Sequence, residues 1–287
     1  MKKILVLTDF SEASAHAFAY VSSLYSSDFC EFTLLHCFLP PPDTLYHIIQ
    51  EDALEKAHER MQQFILPLLN TCRRLTHTYE LRVLPGPVVA IVELTCELEH
   101  FDLVVLGTSG AGKSRLVGSI ATALIRKLSN HVLSVPLHAS LRPLKEIVIA
   151  MDYSESSPGA VYKLVTELAH RTPARLTCLT VIDQDQSPAG VEVDKTEVYT
   201  CHFRDEQIRQ CFTTNRSKAA GIQHYLKEYP SDMLVMISHH KATLDILLDR
   251  SLTRRFVYQG QIPVLALAED AMEGVDLVQQ ARHFYTY

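Results

Sequence analysis

The sequence predicts two tandem doubly wound α/β domains with mainly parallel five-stranded sheets, the second domain abbreviated. Three observations carry this reading. The chain repeats itself at a constant offset, the repeated runs have the composition of strands buried on both faces, and stretches of helical period lie between them. Residues 2–11, KKILVLTDFS, align with residues 145–154, KEIVIAMDYS, so that Asp9 meets Asp152, Phe10 meets Tyr153 and Ser11 meets Ser154. FTLLH from Phe32 meets LTCLT from Leu176 after a one-residue slip. DLVVLG from Asp102 resembles DMLVMI from Asp232, and VLSVPL from Val132 resembles PVLAL from Pro263.

The elements follow in order. Each matching run is short, nearly continuous in apolar residues and rich in β-branched side chains, the signature of a parallel-sheet strand. Helical periodicity covers Ala13–Tyr25, Asp52–Leu69, Pro87–Glu99 and Ser119–Leu128, and a last strand spans 132–137. Strand–helix alternation with right-handed crossovers places helices on both faces of the sheet. In the second copy, fewer residues separate the second strand from the fourth. Val181–Lys195 (VIDQDQSPAGVEVDK) reads as a loop, so one crossover helix is expected to be lost or shortened there. Pro143 and the start of the repeat coincide, which sets the expected domains at 1–140 and 144–268, with a tail at 269–287 that has no counterpart. Strands 132–137 and 263–267 are natural edges, expected to bring the two copies together about a pseudo-twofold axis; a homodimer is a further expectation.

Length and composition narrow the classes. With 287 residues, 47% hydrophobic and 21% charged, the chain can bury two cores without disulfides or metal. A net charge of -6 gives no electrostatic footprint for nucleic acid. No apolar run approaches the length of a membrane-spanning helix, and the apolar stretch after Lys2-Lys3 is too short for a signal peptide. Seven cysteines without a C-x-x-C pair read as reduced thiols of a cytoplasmic protein. The adjacent His239-His240 suggest no third ligand by spacing, so no metal site is expected.

Ligands of open α/β sheets sit beyond the carboxyl ends of the strands, near the switch in strand order. After the strand at Asp102–Leu106 comes GTSGAGKSRLVGS, residues 107–119, with four glycines. Glycine lets backbone N–H groups approach an anion, and a following helix N-terminus adds positive potential. Gly107-x-x-x-x-Gly112-Lys113-Ser114 satisfies the phosphate-loop pattern, with Lys113 for phosphates and a hydroxyl for magnesium. Against a P-loop phosphotransferase, the loop follows the fourth strand rather than the first, and only one strand follows before the repeat begins. Asp9, at the end of strand one, has two roles open to it: bonding a ribose or base, or helping to cap the next helix. Ser11 reads as a helix cap, and packing is the default for His36 and Cys37.

The chain as a whole resembles the universal stress protein family, in the form that carries two such domains in one polypeptide. The matching residues are ILVLTDFSEAS, LLHCF, Gly86-Pro87, DLVVLGTSG, Gly118-Ser119 and VLSVPL. The resemblance implies an ATP site in the first domain. A G-x-x-G-(nine residues)-G-[ST] loop would hold the phosphates, and the acid ending strand one would approach the adenosine. Carried over residue by residue, the implied site is Asp9, Cys37 lining the adenine pocket, Gly107, Gly110, Gly118 and Ser119, with Gly112 and Lys113 inside the loop. Magnesium would accompany the nucleotide. Seven residues rather than nine separate Gly110 from Gly118. The second copy keeps the nine-residue spacing at Ile237, His240 and Arg250-Ser251 but has none of the glycines. The resemblance therefore implies a cytoplasmic, regulatory or stress-response protein without evident catalysis, with a scaffold that binds no nucleotide as its rival.

Overall fold

The structure is a computed structural model that describes residues 1–39, 46–72, 74–109, 117–151, 159–182, 208–238 and 262–268. The first repeat contains β1 (Lys2–Leu7), α1 (Glu12–Leu24), β2 (Cys30–Phe38), α2 (Tyr46–Cys72), β3 (His77–Pro85), α3 (Val88–Leu98), β4 (Leu103–Thr108), α4 (Val117–Lys127) and β5 (Val132–Pro136). The second contains β6 (Glu146–Met151), a 3-10 turn at Gly159–Tyr162, α5 (Lys163–Arg171), β7 (Arg175–Ile182), β8 (Ile208–Thr214), α6 (Lys218–Glu228), β9 (Met233–Ser238) and β10 (Val264–Ala268). The doubly wound α/β expectation holds, and all five strands of the second repeat are present. The expected loss of a crossover helix falls within residues 183–207, outside the described residues, as does the tail 269–287.

All ten strands form one sheet in the order β3-β2-β1-β4-β5-β10-β9-β6-β7-β8. Pairing is parallel within each half. The halves meet where β10 runs antiparallel to β5, with Leu265 opposite Leu133. Alternation along the buried strands sends Ile4, Val6, Leu103 and Val105 to the face covered by α1 and α2. Leu5, Val104 and Leu106 go to the opposite face, against Leu124 and Ile125 of α4. Leu133 and Leu265 belong to the first cluster, which therefore runs unbroken beneath both repeats.

Ionic contacts also cross between the repeats. Arg171 Nε of α5 lies 2.9 Å from Asp28, its guanidinium packs over Tyr25 at 4.8 Å, and Lys2 Nζ reaches Glu167 at 2.7 Å. His131 Nδ1 accepts from the Ala268 amide at 3.1 Å, joining the start of β5 to the end of β10. Burial lowers the pKa of this histidine to about 4, so the ring is the neutral acceptor that the bond requires.

Candidate functional site

At the amino ends of the strands the two repeats are built alike. Asp102 accepts from the Lys3 amide at 2.7 Å and returns its own amide to the Lys3 carbonyl at 2.8 Å. Asp232 accepts from the amides of Lys145 and Glu146 at 2.8 and 3.0 Å, and its amide goes to the Glu146 carbonyl at 2.9 Å. These carboxylates satisfy strand-end donors that would otherwise need water.

The carboxyl ends hold the residues singled out in the sequence. In the first repeat the strand order reverses between β1 and β4, which are neighbours with Val6 opposite Val105. A crevice at that edge is where an open α/β sheet receives a ligand. Asp9 stands exposed there. Its Oδ1 accepts from Ser11 N at 3.1 Å and from Ser11 Oγ at 2.5 Å, and Ser11 Oγ in turn accepts from Ser14 N at 3.2 Å as the N-cap of α1. The cap is thus Ser11, with Asp9 orienting it. A second chain of bonds runs alongside: Phe10 N donates to Thr8 Oγ1 at 3.0 Å, Thr8 Oγ1 lies 3.1 Å from Ser14 Oγ, and Ser14 Oγ donates to the Ser11 carbonyl at 2.9 Å.

Gly107 lies within β4. A Cβ there would stand 2.2 Å from the Ala13 carbonyl oxygen and 2.7 Å from Ser14 N, so the first turn of α1 rests directly on this residue. Close packing of helix on strand demands the glycine. Cys37 faces the α3 side of the sheet and packs against that core, where burial pushes its thiol up to about 12. Gly118 and Ser119 fall in the first turn of α4, whose N-terminus belongs to the same edge as the end of β4. Gly110, Gly112 and Lys113 lie outside the described residues, as do Asp152, Ser154, His239, His240 and Arg250 of the second repeat. Among the described residues no group of His, Cys, Asp and Glu is arranged to hold a metal, and no helix is long and apolar enough to cross a membrane.

Sequence reasoning passed over Phe10. Its ring lies against that of His36 at 4.1 Å, tilted by 31°, meets Phe64 edge-on at 5.6 Å and lies 5.0 Å beneath the Arg60 guanidinium. His36 Nδ1 donates to the Thr8 carbonyl at 2.8 Å, and desolvation lowers its pKa despite that bond. The available signal was the repetition of an aromatic residue, Phe10 and Tyr153, directly after the strand-ending acid.

The fold and this edge define a protein of the universal stress class. The model of the universal stress protein family matches twice, over residues 1–136 and 143–268, so the chain belongs to that family. It is the tandem form, with two copies of the domain in one polypeptide. The chain is similar to a universal stress protein from Archaeoglobus fulgidus, with a TM-score of 0.74 at 14% identity over 93% of this chain and 98% of the other. It is also similar to a putative universal stress protein from Pseudomonas aeruginosa, with a TM-score of 0.58 at 12% identity over 93% of each chain. The cytoplasmic domain of a prokaryotic cation chloride cotransporter shares the fold, with a TM-score of 0.55 at 12% identity over 96% of this chain and 99% of the other. No curated protein sequence matches the chain at a significant level.

Proposed function

We propose that the first repeat binds an adenine nucleotide, ATP in particular, at the carboxyl ends of β1 and β4, in a regulatory or stress-response role. The observation that carries this reading is the meeting of an exposed Asp9 with the glycine-bearing end of β4 where the strand order reverses. Asp9 is a hydrogen-bond acceptor suited to a ribose hydroxyl or exocyclic amine. Gly107 lets the first turn of α1, which Asp9 precedes, sit directly on the end of β4, and the loop from Gly110 through Lys113 to Ser119 would wrap the phosphates. Magnesium would enter as the counter-ion of the triphosphate. The reading assigns this chain binding and positioning rather than a catalytic step. In the second repeat Ile237 stands where Gly107 does in the first and packs against the core, so that site is proposed to be filled.

One observation favours the scaffold alternative: helix packing alone accounts for Gly107, without a ligand. Calorimetric titration separates the two readings. Heat that saturates at one ATP per chain supports the first, and the absence of heat at millimolar ATP leaves the scaffold. A P-loop phosphotransferase would instead show magnesium-dependent turnover that is lost in Lys113→Ala. Gly110→Val should abolish binding by placing a side chain where backbone must approach phosphate.

A further inference from the structure

Away from the Asp9 edge, a cavity of about 280 Å³ lies where the two repeats and their connection meet. Its walls come from the end of α1 and the turn that follows it (within residues 20–28), from the connection (141–144) and from the end of α5 (171 and 172). It therefore exists only because the repeats pack together. Asp9 and Ser11 precede the other end of α1, a helix of 13 residues and hence about 20 Å long. The cavity is a separate place from the edge where a nucleotide would sit.

Polar groups on these walls keep unused donors. Arg171 is held on three sides: Nε lies 2.9 Å from Asp28, Nη2 lies 3.7 Å from Glu167, and the guanidinium covers the Tyr25 ring. Its buried Nη1 nevertheless has no hydrogen-bond partner. Tyr20 is 3% exposed, and its hydroxyl has no partner either. Burial raises the pKa of that phenol, with the charge of Asp232 adding to the shift, so the group is a neutral donor. A buried donor without a partner is unfavourable unless something supplies one. Arg142 is exposed on the same wall, with no ion-pair partner among the described residues. Leu24, Leu141 and Leu144 add apolar surface.

Two guanidiniums and a phenolic hydroxyl call for an acceptor, and a planar carboxylate matches the fork of a guanidinium. Charge sets the limit. Asp28 lines the same space, and the C-terminal ends of α1 and α5 bring negative potential to it, so one negative charge is accommodated and a dianion is disfavoured. The volume equals that of about nine waters, enough for a ligand of roughly ten non-hydrogen atoms. We propose that this cavity is a binding site for a small organic monocarboxylate. Arg142 and Arg171 Nη1 receive its charge, Tyr20 donates beside them, and Leu24 and Leu144 meet its apolar body. Such a ligand touches both repeats and their connection, so binding tightens the contact between them. Small-molecule sites commonly form at domain junctions. This one uses neither Asp9 nor the glycine loop, and it stands independently of the nucleotide reading.

The probe is 3-phenylpropionate, a monocarboxylate of this size. Calorimetric titration of the full chain at neutral pH should show one site with a dissociation constant in the low millimolar range or tighter, and the urea unfolding midpoint should rise with probe concentration. Arg142→Ala should weaken binding about tenfold and Tyr20→Phe about fivefold. Both variants should keep the fold, since Arg142 is exposed and Tyr20→Phe retains the ring. The amide 3-phenylpropionamide, equal in shape but uncharged, should bind at least about tenfold more weakly, and inorganic phosphate should not displace the probe. Absence of binding at tens of millimolar probe overturns the proposal. Equal binding of acid and amide, or of wild type and both variants, does the same. Displacement by an equal concentration of phosphate overturns the carboxylate class.

Discussion

The two repeats agree at the amino ends of their strands and part at the carboxyl ends. Asp102 and Asp232 perform the same task for the same backbone positions. At the other edge, Gly107 in β4 is matched by Ile237 in β9. In the first repeat α1 is α-helical from Glu12. In the second, the described residues resume with a 3-10 turn at Gly159–Tyr162, followed by α-helix from Lys163, which aligns with Tyr20. The first turn of α1 rests on β4 where no Cβ intervenes, whereas the equivalent place in β9 carries the side chain of Ile237. The two copies are thus alike at the amino ends of their strands and differ in side chains at the carboxyl ends.

The largest expected effect breaks this comparison directly. Gly107→Ile, which gives the first repeat the residue of the second, forces α1 off β4 and should destabilise the chain by about 3 kcal/mol. The shift of the urea unfolding midpoint measures it, and a loss below about 1 kcal/mol would mean that the helix yields without cost. Next comes the contact between repeats. Arg171→Ala removes the Asp28 ion pair and the packing over Tyr25, for an expected loss of about 2 kcal/mol, since the pair is only partly exposed.

The His131–Ala268 bond gives a pH dependence. The folded pKa is about 4, below the ordinary value of a free histidine, so the unfolded chain binds the proton first. The contribution is complete above about pH 6.5 and is lost as the pH falls toward the folded value. Between pH 7 and pH 5 the expected loss is about 1 kcal/mol after allowance for solvent, and it should be absent in His131→Asn. The smallest effect sharpens the likeness of the amino ends. Asp102→Ala and Asp232→Ala should each cost about 1 kcal/mol. Asp232→Ala should be the costlier by a few tenths, because Asp232 accepts from two amides rather than one.

Strands and most helices were legible because their signals are local. Continuous β-branched runs placed every strand of the first repeat except the irregular β3, where Thr78, Glu80 and Leu81 lie exposed on a sheet edge. α3 and α4 were read to within two residues of their observed bounds, whereas α2 starts at Tyr46, six residues before the periodicity at Asp52 announces it. What escaped was relational. Strands 132–137 and 263–267 were expected to bring the copies together, but the antiparallel register that sets Leu133 opposite Leu265 and makes one continuous sheet was not written in either strand. Gly107 was read as a phosphate residue from its loop, while its contact with Ala13 joins positions 94 residues apart. Phe10 was visible as an aromatic after an acid, but a positive φ and a contact with the His36 ring are properties of the folded edge.

The central claim is that one repeat of this tandem universal stress protein binds nucleotide and the other does not. Isothermal titration of the intact chain with magnesium-ATP, repeated on Asp9→Ala, tests it most directly. The account predicts one site per chain, weakened at least tenfold (about 1.4 kcal/mol) when the carboxylate is removed. Two equivalent sites, or a single site indifferent to Asp9, would contradict it.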